Sequence, residues 1–326
     1  MDSKNSVSRM EACSKSPTLL VLTGPTGVGK TELALRLAEH YACPIINADS
    51  RQIYREIPIG TAAPTSQEQQ RVRHYFVGTH NLTEDYNAGQ YERDCLLLIQ
   101  ALIAERPDTG TPVAVLTGGS MMYIDAVCHG LDDIPNVDSK IRQQVQQQYA
   151  EHGLEWLQHE VEDLDPTYWE IVDRNNPQRL MHCIEVSRQT GQPYSLFRRG
   201  FEATERPFRI VKVALQRPRE ELYARINARV IKMMNEGLEE EARRVYPLRR
   251  YNSLQTVGYK EMFDYIDGLC SLEQAVDKIQ QNTRHYAKRQ MTWFRRDNDI
   301  HWLDADIDYE EQIHTIDAWL SGTDRV

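Results

Sequence analysis

Thr18-Leu19-Leu20-Val21-Leu22-Thr23-Gly24-Pro25-Thr26-Gly27-Val28-Gly29-Lys30-Thr31 is the stretch that decides the fold. Its first six residues are apolar or β-branched and run straight into glycines, the pattern of a strand buried on both faces of a parallel sheet. Residues 24–31 match G-x-x-x-x-G-K-[ST] in full. Glycines permit positive φ and let backbone N–H groups approach phosphate oxygens. Glu32 to Tyr41 carries Leu33, Leu35, Leu37 and Ala38 among good helix formers, so a helix follows. Its N-terminus adds a partial positive charge. Lys30 supplies a point charge to terminal phosphates, and Thr31 offers a hydroxyl to Mg²⁺. The bland alternative is a glycine-rich turn with an ordinary exposed lysine, but strand and helix stand where the motif requires them. The loop recognises phosphate without choosing a reaction.

Outward from the loop, strands and helices alternate. Pro44 to Ala48 reads as a second strand ending in Asp49-Ser50, Tyr91 to Glu105 as a helix, and Pro112 to Thr117 as another strand running into Gly118-Gly119. Phe208 to Leu215 returns to strand, and Pro218 opens a long helix through Glu220 to Glu236, closed by Gly237. This order predicts an α/β fold, a P-loop NTPase-like parallel sheet flanked by helices, with active residues at the carboxyl ends of strands. From about 131 to 205, β-branched runs vanish and glutamines and charges dominate, with Trp156, Leu157, Val161 and Leu164 at helical spacing. We read residues 131–205 as a helical insertion, residues 18–130 and 206–326 as the catalytic core with C-terminal helices, and residues 1–17 as a flexible tail.

At 326 residues the chain is long enough for a core plus an insertion. The net charge of −10 announces no global field for nucleic acid, although a local basic face would suffice. Six dispersed cysteines (Cys13, Cys43, Cys95, Cys128, Cys183 and Cys270) form no C-x-x-C pair or zinc-finger spacing. With a polar N-terminus and no long apolar run, we expect reduced thiols, a cytoplasmic location and no membrane span; a monomer is expected as well, although the sequence does not give the oligomeric state.

Asp49, at the end of the second strand, falls near the glycine loop in a parallel topology. A carboxylate there can take a proton from a nucleophile or hold magnesium water. Equally, Asp49 or Ser50 can simply cap a helix beginning at Arg51. Arg225 and Arg229 lie one helical turn apart and share one face, which on a solvated helix would form ion pairs to Glu221 or Asp297. Lys278 to Arg296 is the densest basic stretch, holding Lys278, Arg284, Lys288, Arg289, Arg295 and Arg296 interleaved with Tyr286, Trp293 and Phe294. That mixture suits RNA phosphates and splayed bases. On the residues alone, however, the preferred reading is a helix whose aromatic side packs in the core while its charges meet water.

The ordered blocks Gly-Pro-Thr-x-x-Gly-Lys-Thr (24–31), Ala-Asp-Ser-Arg-Gln-Ile-Tyr (48–54), Ile-Gly-Thr-Ala (59–62) and Gly-Gly-Ser-x-x-Tyr (118–123) resemble the tRNA dimethylallyltransferases, also called tRNA isopentenyltransferases. The likeness continues through Asn-Pro-Gln-Arg-Leu (176–180), Val-Gly-Tyr-Lys-Glu (257–261) and residues 283–295, and spans Leu19 to Trp302. It implies transfer of a dimethylallyl group from dimethylallyl diphosphate to N6 of the adenosine 3′-adjacent to the anticodon. It also implies a helical insertion that embraces the tRNA anticodon stem-loop.

By that resemblance, Gly24, Pro25, Thr26, Gly27, Val28, Gly29, Lys30 and Thr31 grip the donor diphosphate, with Thr31 on Mg²⁺. Asp49 takes the amine proton, while Lys30, Thr31 and Arg229 stabilise the leaving pyrophosphate. The tRNA contacts map to Asp49, Ser50, Arg51, Gln52, Ser120, Arg142, Gln178, Arg179, Leu180, Met181 and His182. They continue at Gln255, Thr256, Val257, Gly258, Tyr259, Lys260, Lys288, Arg289, Gln290, Met291, Thr292, Trp293, Phe294 and Arg295. Ala63 stands where the family usually has Lys, Ser120 where Thr is common, His74-Tyr75-Phe76 for His-His-Leu, and Met181-His182 for a more polar pair. No zinc-finger pattern follows Arg296, so the form without that appendage is expected. The rival readings are a P-loop kinase of a small metabolite, an isopentenyltransferase of free adenine nucleotides, and a non-catalytic RNA-binding module.

Overall fold

In the computed structural model, which describes residues 16–106, 111–132, 134–198 and 205–322, the chain divides into two compact units. One comprises residues 1–128 with 205–326, and the other residues 129–204. The tail expected at 1–17 lies, for residues 1–15, outside the described residues.

The first unit is built on a parallel sheet of six strands in the order β3-β2-β4-β1-β5-β6. The strands are β1 (Thr18–Thr23), β2 (Ile45–Asn47), β3 (His74–Tyr75), β4 (Pro112–Thr117), β5 (Arg209–Gln216) and β6 (Ile300–Asp304). Parallel neighbours need crossovers, and helices supply most of them. They are α1 (Lys30–His40), α2 (Pro58–Thr61), α3 (Ser66–Arg71), α4 (Ala88–Glu105) and α5 (Met121–His129). Every residue of β1 is buried because alternate side chains feed two cores. Leu20 and Leu22 pack with Leu33, Leu37 and Val213 on one face; Leu19 and Val21 pack with Tyr91, Cys95 and Ile99 on the other. Each such side chain contributes about 1.5–3 kcal/mol by leaving water. Asn87 and Gln90 close a reciprocal capping box that starts α4.

The helices of the second unit are α6 (Ser139–Leu164), α7 (Pro166–Trp169) and α8 (Pro177–Thr190). The glutamine run lies on α6, which breaks its helical backbone at Gly153 (φ 75°). Gln143, Gln144, Gln146 and Gln147 are exposed while Val145 is buried. The unit has its own core of Val145, Leu157, Val161, Leu180, Ile184 and Tyr194. Buried Asp165 pins its far end, accepting from Tyr168 N at 2.9 Å, Ser195 N at 2.6 Å and Ser195 Oγ at 2.9 Å.

The remaining helices of the first unit are α9 (Arg219–Asn235), α10 (Leu238–Val245), α11 (Tyr259–Ile266), α12 (Leu272–Phe294) and α13 (Tyr309–Ser321). Pro218 precedes α9, and Gly237 follows it with φ 99°. Among the described residues no helix is long and apolar enough to cross a membrane, and Cys43, Cys95, Cys128, Cys183 and Cys270 are free thiols.

Candidate active site

The loop at residues 24–31 leaves the carboxyl end of β1 and enters α1. Gly24, Gly27 and Gly29 adopt φ of 135°, 82° and 117°. Space forbids a side chain at the first two positions. A Cβ at Gly24 would lie 2.7 Å from Leu215 O, and one at Gly27 would lie 2.9 Å from Ile226 Cγ1. Val28 is fully buried and roots the loop in the core. Lys30 folds back over the loop, donating to Gly24 O at 2.8 Å and Pro25 O at 2.9 Å. Burial of the ammonium, reinforced by the Arg229 guanidinium, lowers its pKa to about 7, and Asp49 opposes this. Thr31 stands exposed in the first turn of α1.

Helix α9 braces the loop from one side. Arg225 Nε donates to Gly27 O at 2.8 Å. Arg229 donates to Thr26 Oγ1 at 3.1 Å and to Thr61 O at 3.4 Å. Burial pulls the Arg229 guanidinium below its usual value, and the Asp49 carboxylate opposes it. Of the two carboxylates weighed as its partners, Glu221 pairs with Arg217 and Asp297 with Lys212. Arg217 also braces the loop, donating to Val28 O at 3.1 Å.

Asp49 follows β2, next to β4 and one strand away from β1. No helix begins at Arg51. Asp49 Oδ1 nevertheless accepts from Arg51 N at 2.9 Å and Gln52 N at 3.3 Å, which fixes the carboxylate by its own turn and leaves Oδ2 toward Gly119. Gly118 permits β4 to close against β2, since a Cβ there would meet Ala48 O at 2.2 Å. Ser120 Oγ then accepts from Ser50 N at 2.7 Å and donates to Ser50 Oγ at 3.0 Å. Gln52 Nε2 donates to Thr61 O and Ala62 O, at 3.1 and 3.0 Å. Arg51 donates to Asn252 O at 3.1 Å.

Residues 255–260 reach this edge through α2. Tyr259 is fully buried, and its hydroxyl donates to Glu241 Oε1 at 2.5 Å. Glu241, also fully buried, accepts from Ile59 N at 3.1 Å and Gly60 N at 2.8 Å. This holds the turn whose Thr61 O receives Arg229 and Gln52. Gln255 and Lys260 are exposed, Thr256 and Val257 half-buried, and Gly258 takes φ 100° at the start of α11.

On α12, Lys288, Arg289, Thr292 and Arg295 are exposed and Met291 is half-buried. Gln290 and Phe294 are not surface groups: they are 0% and 2% exposed. Tyr286 donates to Gly119 O at 3.0 Å and Trp293 to Asp125 Oδ2 at 2.8 Å. The aromatics expected to stack on RNA therefore tie α12 to the protein, because an amphipathic helix on a sheet edge turns its apolar face inward. In the second unit Arg142, Gln178 and Arg179 are exposed, Leu180 and Met181 are buried, and His182 packs edge-on against Tyr194.

The braces of this edge were the hardest residues to foresee. Glu241 had a signal: Leu238, Glu241, Ala242 and Val245 fall at i, i+3, i+4 and i+7, so the carboxylate shares the apolar face. Arg217 and the bridging amide of Gln290 had none, because both act across the fold.

A family model described as IPP transferase matches residues 52–297. This chain belongs to the IPP transferase family. Among relatives, it is 54% identical to tRNA dimethylallyltransferase 1 of Phocaeicola vulgatus, over 92% of this chain and 98% of that one. A crystal structure of a tRNA isopentenylpyrophosphate transferase from Bacillus halodurans superposes with a TM-score of 0.67 at 34% identity, covering 94% of this chain and 96% of that chain. A eukaryotic dimethylallyltransferase acting on tRNA shares the fold at 24% identity and a TM-score of 0.79, over 94% and 80% of the two chains. The family member described here therefore carries the P-loop-like fold of its relatives.

Proposed function

We propose that the chain is a tRNA dimethylallyltransferase, moving the dimethylallyl group of dimethylallyl diphosphate to N6 of the adenosine 3′-adjacent to the anticodon. The observation that carries this reading is the convergence, at one sheet edge, of a phosphate loop braced by Arg225 and Arg229 with the held carboxylate of Asp49. The loop amides and Lys30 receive the diphosphate. The adenine leaves its stack to bring its amine to the donor carbon. As the N6–carbon bond forms, the carbon–oxygen bond to diphosphate breaks, the electron pair leaves with pyrophosphate, and the amine proton passes to Asp49. An exocyclic amine is a weak nucleophile, so orientation and proton removal both count. Lys30 and Arg229 stabilise the charge growing on the leaving group.

Mg²⁺ fits this site in one specific way. Among the described residues no three His, Cys, Asp or Glu side chains gather to hold a metal. Thr31, exposed in the first turn of α1, would offer its hydroxyl to a magnesium ion. Held there, the ion would supply positive charge to offset that of the phosphates.

The tRNA anticodon stem-loop is read by exposed basic and polar groups: Lys288, Arg289 and Arg295 on α12, and Arg142, Gln178 and Arg179 of the second unit. We also propose that the protein acts as a monomer in the cytoplasm. The test is mass analysis of nucleosides from unmodified tRNA incubated with the protein and dimethylallyl diphosphate. One dimethylallyl group on adenosine is expected. Product on free AMP but none on tRNA, or phosphorylation of a metabolite by ATP instead, would replace this reading.

A further inference from the structure

We propose that Gln290 is a positioning residue that sets the spacing between the diphosphate loop and the Asp49 edge; this rests on the prenyl-transfer reading above. Its side chain is fully buried. A buried primary amide is costly unless both of its ends are bonded. Here both are, by segments far apart in the chain. The Gln290 carbonyl accepts from Thr26 N, in the diphosphate loop, at 2.9 Å. Its NH₂ donates to Gly119 O, at the end of β4, at 2.7 Å. Thr26 N can only donate and Gly119 O can only accept, so the two partners fix which way the amide points.

Space is specified as tightly as bonding. A Cβ at position 119 would lie 2.6 Å from Gln290 Nε2. Gly119 O also receives the Tyr286 hydroxyl at 3.0 Å. The next residue, Ser120, bonds Ser50 N and Ser50 Oγ, and Ser50 follows Asp49. One path of bonds thus runs from a loop amide, through Gln290 and the β4 end, to the segment carrying the proton acceptor. Along α12, Tyr286, Gln290 and Phe294 recur every four residues and face inward, while Lys288, Arg289, Thr292 and Arg295 are exposed. The helix therefore divides its labour by face. Gln290 belongs to the inward, positioning side rather than to the RNA-facing side.

The experiment is steady-state kinetics with dimethylallyl diphosphate and tRNA on the parent and Gln290→Met, with melting curves for both. Methionine keeps the shape and removes both bonds. Misplacing reacting groups by about 1 Å costs on the order of a hundredfold. We expect kcat to fall tenfold or more while KM for tRNA moves by less than about threefold, a split that simple loss of an RNA contact does not produce. Should Gln290→Met fail to fold, Tyr286→Phe removes the other bond to Gly119 O, and a smaller kcat loss at unchanged tRNA KM is expected. A folded variant with parental kcat, or a raised tRNA KM at parental kcat, would overturn the inference and leave the prenyl-transfer reading standing. A parent that makes no product from this pair would overturn that reading, and the inference with it.

Discussion

The carboxyl edge of the sheet and the first turn of α8 both carry residues that the family resemblance ties to tRNA, yet they are built in opposite ways. At the sheet edge, Thr26 N, Gly119 O, Ser50 N and Thr61 O are each bonded by a side chain brought from elsewhere in the chain. On α8, Gln178 and Arg179 stand exposed in front of buried Leu180 and Met181. On the proposed reading that edge makes and breaks bonds, which requires reacting groups held within a fraction of an ångström and accounts for its over-determination. Contact with a phosphate backbone tolerates adjustment, and exposed side chains suffice.

Substitutions on either side should separate these two modes. Asp49→Ala is expected to have the largest effect, lowering prenyl transfer by about 10²–10⁴-fold with a melting curve close to the parent's. Near-normal turnover by a folded variant would remove Asp49 from the chemistry. Arg229→Ala is next, with kcat reduced on the order of a hundredfold and weaker inhibition by pyrophosphate, since charge stabilisation at the leaving group is lost. Arg179→Ala belongs to the other mode. Its KM for tRNA should rise several-fold at unchanged kcat, and the dependence of log KM on log salt should flatten by roughly 0.7–0.9 for the lost phosphate contact.

The smallest effect concerns stability. Lys30 titrates at about 7 in the fold against 10.5 as its ordinary value. Between those values the unfolded chain binds more protons than the folded one, so the contribution of Lys30 to stability rises with pH across that window. Relative to Lys30→Met, the parent should therefore melt at a more favourable temperature at pH 9 than at pH 7. An offset that stays constant with pH would contradict the buried ammonium.

The strands that position the chemistry were legible where burial wrote itself into the residues. Thr18 to Thr23 and Pro112 to Thr117 are continuous apolar runs because helices cover both faces, and the long helix between Pro218 and Gly237 carried both of its end signals. Two edge strands escaped notice. His74–Tyr75 is only two residues long, and Ile300–Asp304 sits at the open edge with His301 exposed, so neither presents a buried run. The loop residues and Asp49 were legible because a motif binds them locally. Arg229 required a choice between two faces that spacing alone left open. Gln290 was legible only as part of an RNA-facing stretch, because its partners lie 264 and 171 residues away. Local pattern reports local geometry, and a bridge between distant loops leaves no periodic trace.

A structure of the protein with a non-reactive dimethylallyl diphosphate analogue and an anticodon stem-loop tests the central claim most directly. We predict the diphosphate on the backbone amides of residues 27–31 beside Lys30 and Arg229, with the adenine N6 within hydrogen-bond reach of Asp49. A diphosphate bound away from that loop, or an adenine amine facing a different carboxylate, would contradict it.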